Sequence, residues 1–362
     1  MRFEYAEKTE RLADPVATTG SRLYCICTQN GDFPDPPGGH IAGEMWGIWA
    51  HPIKLFDGFR LAIHPSGHED TAVWLTAAAA CRVHGTHTEF AYQVGDLRIT
   101  RSDVVPEDLA GMIVTVSLSA PPGVEPLLEI TALFRSDLRP AWLGERVGMV
   151  DAPDTVHADL DGGVLLFDDR DNPWATVVGS SVHPLRVATA GTLFAGWTTT
   201  GEGTAAALTC PLIVDASGTA TVRFFLAGSA ESADEARATL ARLMSDHGRL
   251  IEAKRELYAA VAARSALETP DALVDRAFHW VKLNGQMLTL EVPPLGRGLA
   301  PAGSGRRALG DAPRRGPGAR TPLPGAAAPQ GQSARRSRPW RARRYGQPGS
   351  GPRVHLGGPS PG

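Results

Sequence analysis

The sequence predicts a mainly β protein, a large antiparallel β-sandwich followed by helices, on three observations. From Ser21 to Gly228, short runs rich in Val, Ile, Thr and aromatic residues recur at intervals of roughly 8 to 15 residues, broken by Gly, Pro and Asp clusters. No helical periodicity is interleaved with these runs, which favours packed antiparallel sheets over a doubly wound fold. At Ser232 the pattern changes to helical spacing, and near Gly298 it changes again to an Arg/Pro/Gly/Ala text with no apolar period.

The runs place strands at Leu23 to Gln29, Phe59 to Ile63, Ala72 to Val83, Thr88 to Val94 and Met112 to Ser119. Further strands are expected at Leu127 to Phe134, Val164 to Phe167, Trp174 to Val178, Ala205 to Val214 and Ala220 to Leu226. In the last of these, Thr221, Arg223 and Phe225 alternate with Val222, Phe224 and Leu226, the pattern of a strand with one buried face.

Ser232 stands three residues before Glu235, a capping box in which each side chain satisfies the other's free amide. The helix it opens carries Leu240, Leu243 and Met244, is interrupted near Gly248, and resumes with Leu250, Ile251, Lys254, Leu257, Tyr258 and Val261. A second helix starts with Thr269 as N-cap, Pro270 at the first helical position and Asp271 near the positive dipole end. Its apolar side holds Leu273, Ala277, Trp280, Val281 and Leu288, and it ends before Pro293 and Pro294.

At 362 residues, 43% hydrophobic and 21% charged, the chain has enough length for a sizeable core. Its net charge of -3 hides an asymmetry: residues 301–362 hold twelve Arg, no Lys and one acid, Asp311, a net +11, so the first 300 residues carry -14. So acidic a body is a poor polyanion binder and is compatible with a neutral ligand such as a sugar. The tail cannot bury enough surface to offset its ordering entropy and is expected to be disordered. Arg, Pro, Gly and Ala all have GC-rich codons, so the tail reads as a GC-rich gene translated out of frame. The alternatives are a basic nucleic-acid-binding tail, with Trp340 and Tyr345 for stacking, or an ordinary disordered tail. Met1 to Glu10 mixes charges without an apolar core, so no secretory leader is expected, and no stretch has the apolar length of a membrane span. Four cysteines without a CxxC pair point to reduced thiols and a cytoplasmic setting.

Few residues declare chemistry. Cys25 and Cys27 would share a strand face, read as buried small apolar groups with a metal or redox pair as the alternative. Cys81, His84 and His87 have zinc-like spacing, but residues three apart on a strand face opposite ways, and a strand leading to a turn at Gly85 is preferred. His40, His51, His64 and His68 have no nucleophile motif nearby and read as surface and loop histidines. Asp168, Asp169 and Asp171 with Asn172 and Pro173 lack the spacing of a calcium loop and read as a solvated turn. Gly201-Glu202-Gly203 precedes a strand, not a helix, so it is no dinucleotide fingerprint. Glu145 and Asp151 read as surface charges, and no carboxylate pair declares itself as acid and base. Trp46, Trp49 and Trp74 are the aromatics considered for stacking on sugars, with core packing preferred.

One segment carries a family likeness. Thr269-Pro-Asp-Ala-Leu-Val-Asp-Arg-Ala-Phe-His-Trp-Val-Lys-Leu-Asn284, with Met287-Leu288 and Val292-Pro-Pro-Leu-Gly-Arg-Gly-Leu299, resembles the start of the catalytic barrel in glycogen-debranching-type glycoside hydrolases. These are the bacterial and archaeal amylo-α-1,6-glucosidase-like members of the six-hairpin glycosidases. Gly43-Glu-Met-Trp-Gly-Ile-Trp-Ala-His-Pro-Ile-Lys-Leu-Phe-Asp-Gly-Phe59 and Asp171-Asn-Pro-Trp174 with Val177-Val-Gly179 resemble earlier segments of that family. The resemblance implies a β super-sandwich, linker helices and an (α/α)6 barrel, and hydrolysis of α-1,6-glucosidic branch links in glycogen-like glucans. It divides the chain into an N-terminal segment 1–20, a sandwich 21–230, linker helices 231–268, a truncated barrel start 269–298 and the tail 299–362. The family would place its catalytic carboxylates in barrel helices beyond Leu299, where this chain has only the tail. No catalytic, cofactor-binding or metal residue is therefore assigned, the carbohydrate-binding residues stay open, and no cofactor is expected. An α-glucan or oligosaccharide is the expected partner, with no membrane, nucleic acid disfavoured and the oligomeric state open. The other reading is a stand-alone carbohydrate-binding or interaction sandwich.

Overall fold

The computed structural model describes residues 5–34, 46–121, 127–141, 144, 148–189, 202–265, 267–292 and 296–299. The expectations for His40, Glu145, Gly201, Pro293 to Leu295 and residues 300–362 lie outside the described residues.

The first strands are β1 (Ala6–Lys8), β2 (Pro15–Thr19), β3 (Tyr24–Thr28), β4 (Gly47–Ala50), β5 (Ile53–Pro65), β6 (Val73–Trp74) and β7 (Ala80–Val83). They are followed by β8 (Thr88–Val94), β9 (Leu97–Val104), β10 (Gly111–Ser119), β11 (Leu128–Pro140), β12 (Asp154–Asp159) and β13 (Val164–Asp169). Then come β14 (Ala175–Ser180), β15 (Arg186–Thr189), β16 (Ala205–Leu212), β17 (Thr219–Ser229), helices α1 (Ala233–Ala263) and α2 (Ala272–Met287), and the hairpin β18 (Thr289–Val292) and β19 (Gly296–Leu299). One sheet runs β1-β7-β8-β9-β10-β17-β14-β13-β12 and the other β15-β16-β11-β5-β4-β3-β2, with β6 beside β5. The mainly β, antiparallel sandwich read from the sequence is the fold observed.

The inner faces meet in one apolar core. Phe56 stands 5.6 Å from Phe167 and 6.1 Å from Phe134, and Phe134 stands 6.1 Å from Phe59 and 6.2 Å from Phe224, ring centre to ring centre. Rings at such separations contribute beyond the area they bury. All four cysteines are free and buried, as their small apolar character implies.

Several sequence expectations need correction. Ala72 to Val83 is two strands in two sheets, because Leu75 N donates to Leu61 O in one sheet and Ala79 N to Ala91 O in the other. Strand β9 was absent from the reading because Arg101 and Asp103 place charge where an apolar alternation would continue. Both are buried: Arg101 Nε donates to Asp103 Oδ1 (2.9 Å) and Nη1 to Gly31 O (2.7 Å). The guanidinium lies 4.3 Å from the Phe59 ring and 4.7 Å from that of Phe90.

Helix α1 runs unbroken through Gly248. One glycine costs about 1 kcal/mol relative to alanine, less than the burial of Leu240, Leu243, Leu250 and Tyr258 returns. Ser232 caps it by accepting from Glu235 N (3.1 Å), but Glu235 accepts from Ser229 Oγ (2.6 Å), so the return half of the capping box goes to a different serine. The N-cap of α2 is Asp271, which accepts from Leu273 N (2.9 Å), two residues later than expected. Thr269 is drawn instead to Asp275, to which its Oγ1 and amide both donate at 2.9 Å. The helix stops at Met287, and Thr289 to Val292 forms strand β18 rather than a last helical turn. Neither helix is long and apolar enough to cross a membrane.

Asp103→Asn would leave the Arg101 guanidinium buried without its counter-charge. Urea unfolding should show a loss of about 3–5 kcal/mol, and a loss within about 0.5 kcal/mol of zero, typical of surface changes, would remove the pair from the core's essential contacts.

Candidate functional site

Charge is concentrated where β4, β5, β11 and β12 meet. Lys54 is fully buried, bonds to Asp57, and donates to Asp137 Oδ2 at 2.9 Å. Arg135 Nε lies 3.1 Å from Asp57 Oδ2 and Arg139 Nε 2.7 Å from Asp137 Oδ2. Asp154 Oδ2 accepts from Ser136 Oγ (2.7 Å) and Leu138 N (3.1 Å). Trp49 leans on this group, with Lys54 Nζ 5.3 Å and Arg139 Cζ 5.8 Å from its ring, and stacks on Tyr24 at 6.4 Å. The arrangement locks strands together, because these carboxylates are directed at lysine, arginine or hydroxyl donors within the fold.

The sugar-stacking candidates separate on burial. Trp46 is 9% exposed and Trp49 1%, whereas Trp74 on β6 is 38% exposed. Of the three, Trp74 alone is exposed. Of the early histidines, His51 is half-buried and shares a 3.0 Å hydrogen bond with the Tyr24 hydroxyl. His64 departs from the expected surface or loop position: it is buried on β5, 3.0 Å from Thr131 Oγ1 and 3.1 Å from Pro65 O. His68 is exposed.

The acidic turn after β13 organises backbone. Asp169 Oδ1 accepts from Asp171 N (2.9 Å) and Asn172 N (2.8 Å), Asp168 Oδ1 from Thr155 Oγ1 (2.7 Å), and Asp171 pairs with Arg170. The solvated turn read from the sequence holds for Asp171, which is exposed, whereas Asp168 and Asp169 end β13 and Asp169 is buried, its carboxylate turned to the amides of the turn. Strand β16 follows Gly203 without a helix, in keeping with the rejected dinucleotide motif. Asp151 is half-buried rather than a free surface charge, and burial, with Asp137 and Asp169 nearby, pushes its carboxyl up to about 6.

A shallow depression of about 230 Å³ lies at the end of β11 and β16, lined by Ser66, Leu127, Leu128, Glu129, Leu185, Pro211, Leu212, Ile213 and Val214. Its one charged wall residue, Glu129, accepts from Ser66 Oγ (2.7 Å) and bonds to Arg186. Burial opposes that charge, but the two bonds prevail and hold the carboxyl below its ordinary value.

The Cys81, His84 and His87 group divides. Cys81 is in the core, where burial pushes its thiol up to about 12. His84 and His87 lie across the β7–β8 turn from one another, His84 N donating to His87 O at 2.9 Å, and their rings stack 4.0 Å apart. They are three apart in sequence yet on one face, because the chain reverses between them. The signal was the two-residue turn Gly85-Thr86 flanked by histidines. Burial, with His84, Arg255 and Lys254 adding to it, lowers His87 to about 4, so its imidazole is neutral near pH 7.

Sequence reasoning placed Lys254 in an apolar stripe without a role for its charge. Its ammonium is buried, bonds to Thr19 O, donates to Val105 O (2.6 Å), and lies 3.9 Å from Glu107 Oε1. Burial lowers its pKa to about 8. A second lysine, Lys282 of α2, donates to Ala262 O (2.6 Å) and Arg264 O (2.8 Å), satisfying carbonyls at the end of α1. Leu283 is buried on α2, but Leu273 (69% exposed) and Val281 (67%) face outward and Trp280 is half-buried.

Burial, reinforced by Asp137 and Asp169, pushes Asp154 up to about 7. The folded chain therefore keeps a proton that the unfolded chain releases near its ordinary pKa of about 4, and this group's contribution to stability falls as pH rises between those values. Asp154→Asn should shrink the drop in urea midpoint between pH 5 and pH 8. Parallel midpoint profiles for the two proteins would contradict the assignment.

No family model matches the chain, and neither does any curated protein. Solved structures do. A protein assigned as a kojibiose phosphorylase from the human microbiome superposes at TM-score 0.50 and 7% identity, over 81% of this chain and 42% of that one. A bacterial glucoamylase complexed with acarbose gives 0.47 at 10% identity over 80% and 42%, respectively. An inverting mannosidase of family GH92 from Bacteroides thetaiotaomicron gives 0.40 at 12% over 65% and 31%. The chain spans less than half the length of each of these proteins, and with the phosphorylase it shares the fold of an antiparallel sandwich followed by helices.

Proposed function

We propose that this chain is the sandwich-and-helix portion of a carbohydrate-active enzyme of the six-hairpin glycosidase type, and that it serves as a scaffold rather than a catalyst. The observation that carries the reading is the ordered series of sandwich, α1 laid on the sheet and α2 after it with Leu273, Val274 and Val281 exposed, together with the likeness of fold to the phosphorylase over 81% of the chain. The substrate class is an α-glucan, and the activity of the whole is cleavage of α-1,6-glucosidic branch links in glycogen-like polymers. That finer reading rests on the resemblance at Gly43 to Phe59, whose described residues hold β4 and the start of β5, at Asp171 to Trp174 with Val177 to Gly179, and at Thr269 to Asn284 with Met287, Leu288 and Val292 to Leu299, which includes most of α2. Residues 269–298 would open an (α/α)6 barrel whose further helices carry the acid and base carboxylates. Four free, buried cysteines agree with a cytoplasmic setting.

The exposed apolar residues of α2 support a missing neighbour. Leu273, Val274 and Val281 are what a barrel helix would bury against the next one. A stand-alone sugar-binding module is less favoured, since two of its three candidate tryptophans are in the core.

Incubated with glycogen, pullulan or maltodextrins, the chain alone should release no reducing sugar. Fusing residues 1–288 to the remaining barrel helices of a debranching-type enzyme should yield hydrolysis of α-1,6 links. Turnover by the chain alone would overturn the scaffold reading, and a soluble, folded fusion without turnover would count against the proposed family.

The same reading predicts that the chain binds a hydrophobic dye through α2, and that Leu273→Ser with Val281→Ser reduces that fluorescence at least by half. An unchanged signal would place the exposed apolar surface elsewhere.

A further inference from the structure

We propose that His84, His87 and Glu89 form a binding site for a divalent transition-metal ion of the zinc class, at the tip of the β7–β8 hairpin. Within this hairpin Arg82 is opposite Glu89 and Val83 opposite Thr88, and the turn bond places His84 opposite His87. Side chains on a strand alternate between faces, so Arg82, His84, His87 and Glu89 share one face while Cys81, Thr88 and Phe90 face the core. Among the described residues, this is the grouping that brings three metal-ligating side chains together, with one ligand atom from each within 4.8 Å of the others. Two imidazoles and one carboxylate are a donor set of zinc sites that leave a position to solvent.

Binding turns the two imidazoles out of their 4.0 Å stack, because the in-plane lone pairs of parallel rings do not converge on one ion, while the surroundings fix the positions from which they turn. Thr86 Oγ1 lies 2.9 Å from His87 Nδ1, which directs coordination to the other ring nitrogen. Arg82 Nη1 donates to Glu89 Oε1 at 2.6 Å, and its Nε donates to Glu7 Oε1 at 2.8 Å, so the carboxylate is oriented by a strand-to-strand ion pair. A carboxylate has two oxygens, and Oε2 is the one not engaged by that bond.

The neighbouring cations do not forbid a metal. Arg82 is paired with Glu7 and Glu89, Lys254 lies by Glu107, and Arg255 lies 3.3 Å from Glu252. Each of these cations therefore has a carboxylate of its own, and Glu89 is the anionic ligand that offsets the charge of an entering ion. The hairpin tip is also where sandwich meets helices: a Cβ built on Gly85 would come 2.9 Å from Tyr258 Cδ1 and 3.1 Å from Leu283 Cδ1. An ion here would stiffen the turn against which α1 and α2 rest, and ligand binding to the folded state alone raises its stability.

The test uses the full chain without a histidine tag, freed of metal by chelation, and titrated with Co²⁺ and Zn²⁺. One ion per chain is expected, with visible cobalt absorption of nitrogen/oxygen ligation, displacement by Zn²⁺ and a raised melting temperature. His87→Ala and Glu89→Gln, at half-buried positions, should each weaken binding tenfold or more. In the unsubstituted chain Co²⁺ should shift the imidazole proton resonances of His84 and His87, a readout that does not depend on how any variant folds. Absence of stoichiometric binding, affinity unchanged in both variants, unshifted imidazole resonances, or a cobalt–thiolate charge-transfer band from cysteine would each overturn the site.

Discussion

The central strands of the larger sheet are apolar on both faces, and one helix covers the outer one. Phe225 and Ala227 of β17, Ile113 of β10 and Ala175 and Val177 of β14 point away from the sandwich core, where Ala236, Leu240, Leu243 and Leu250 of α1 bury them. Burying a phenylalanine is worth about 1.5–3 kcal/mol, so these outward residues would expose a costly patch if α1 lifted. The buried Lys254 ammonium on Thr19 O and Val105 O then fixes where along the sheet the helix lies. Helix α2 is tied to that contact through Lys282, which donates to the last carbonyls of α1, and to the sandwich through Glu291 N, which donates to Ser21 O.

Where the sequence was legible, alternation and turn chemistry agreed. Thr88 to Val94 is a strand at the residues expected, and Ser232 caps α1. The alternation in β17 was read as one buried face. That holds at Thr221, which is exposed, but fails at Phe225, which α1 covers. A helix crossing a sheet buries part of a strand's outer row, and local period carries no record of it. Strand β9 was illegible for a different reason: Arg101 and Asp103 face inward as a pair, and their polarity mimics a loop. The split of Ala72 to Val83 between two sheets is likewise a long-range choice, made by Leu61 and Ala91 as hydrogen-bond partners.

The same limit applies to the chemistry. Cys81, His84 and His87 read in the sequence as a strand leading to a turn at Gly85 rather than as zinc ligands, and β7 does lead into that turn. Cys81 faces the core as strand geometry requires, and what the spacing could not show is that the returning strand brings Glu89 beside the two histidines. Buried aspartates near Arg135 and Lys54 had no signature at all, because pairing across β5 and β11 brings together residues some eighty positions apart. These ion pairs lock strands, Trp46 and Trp49 fill the interior, and α2 keeps apolar residues outward.

The central claim is that the sandwich and α1 form one cooperative platform from which α2 is presented. Amide hydrogen exchange under native conditions tests it directly. The account predicts that amides of α1 between Leu240 and Tyr258 open only with β10, β14 and β17, at the same free energy. Exchange of α1 in a separate, low-energy opening while those strands stay protected would contradict it.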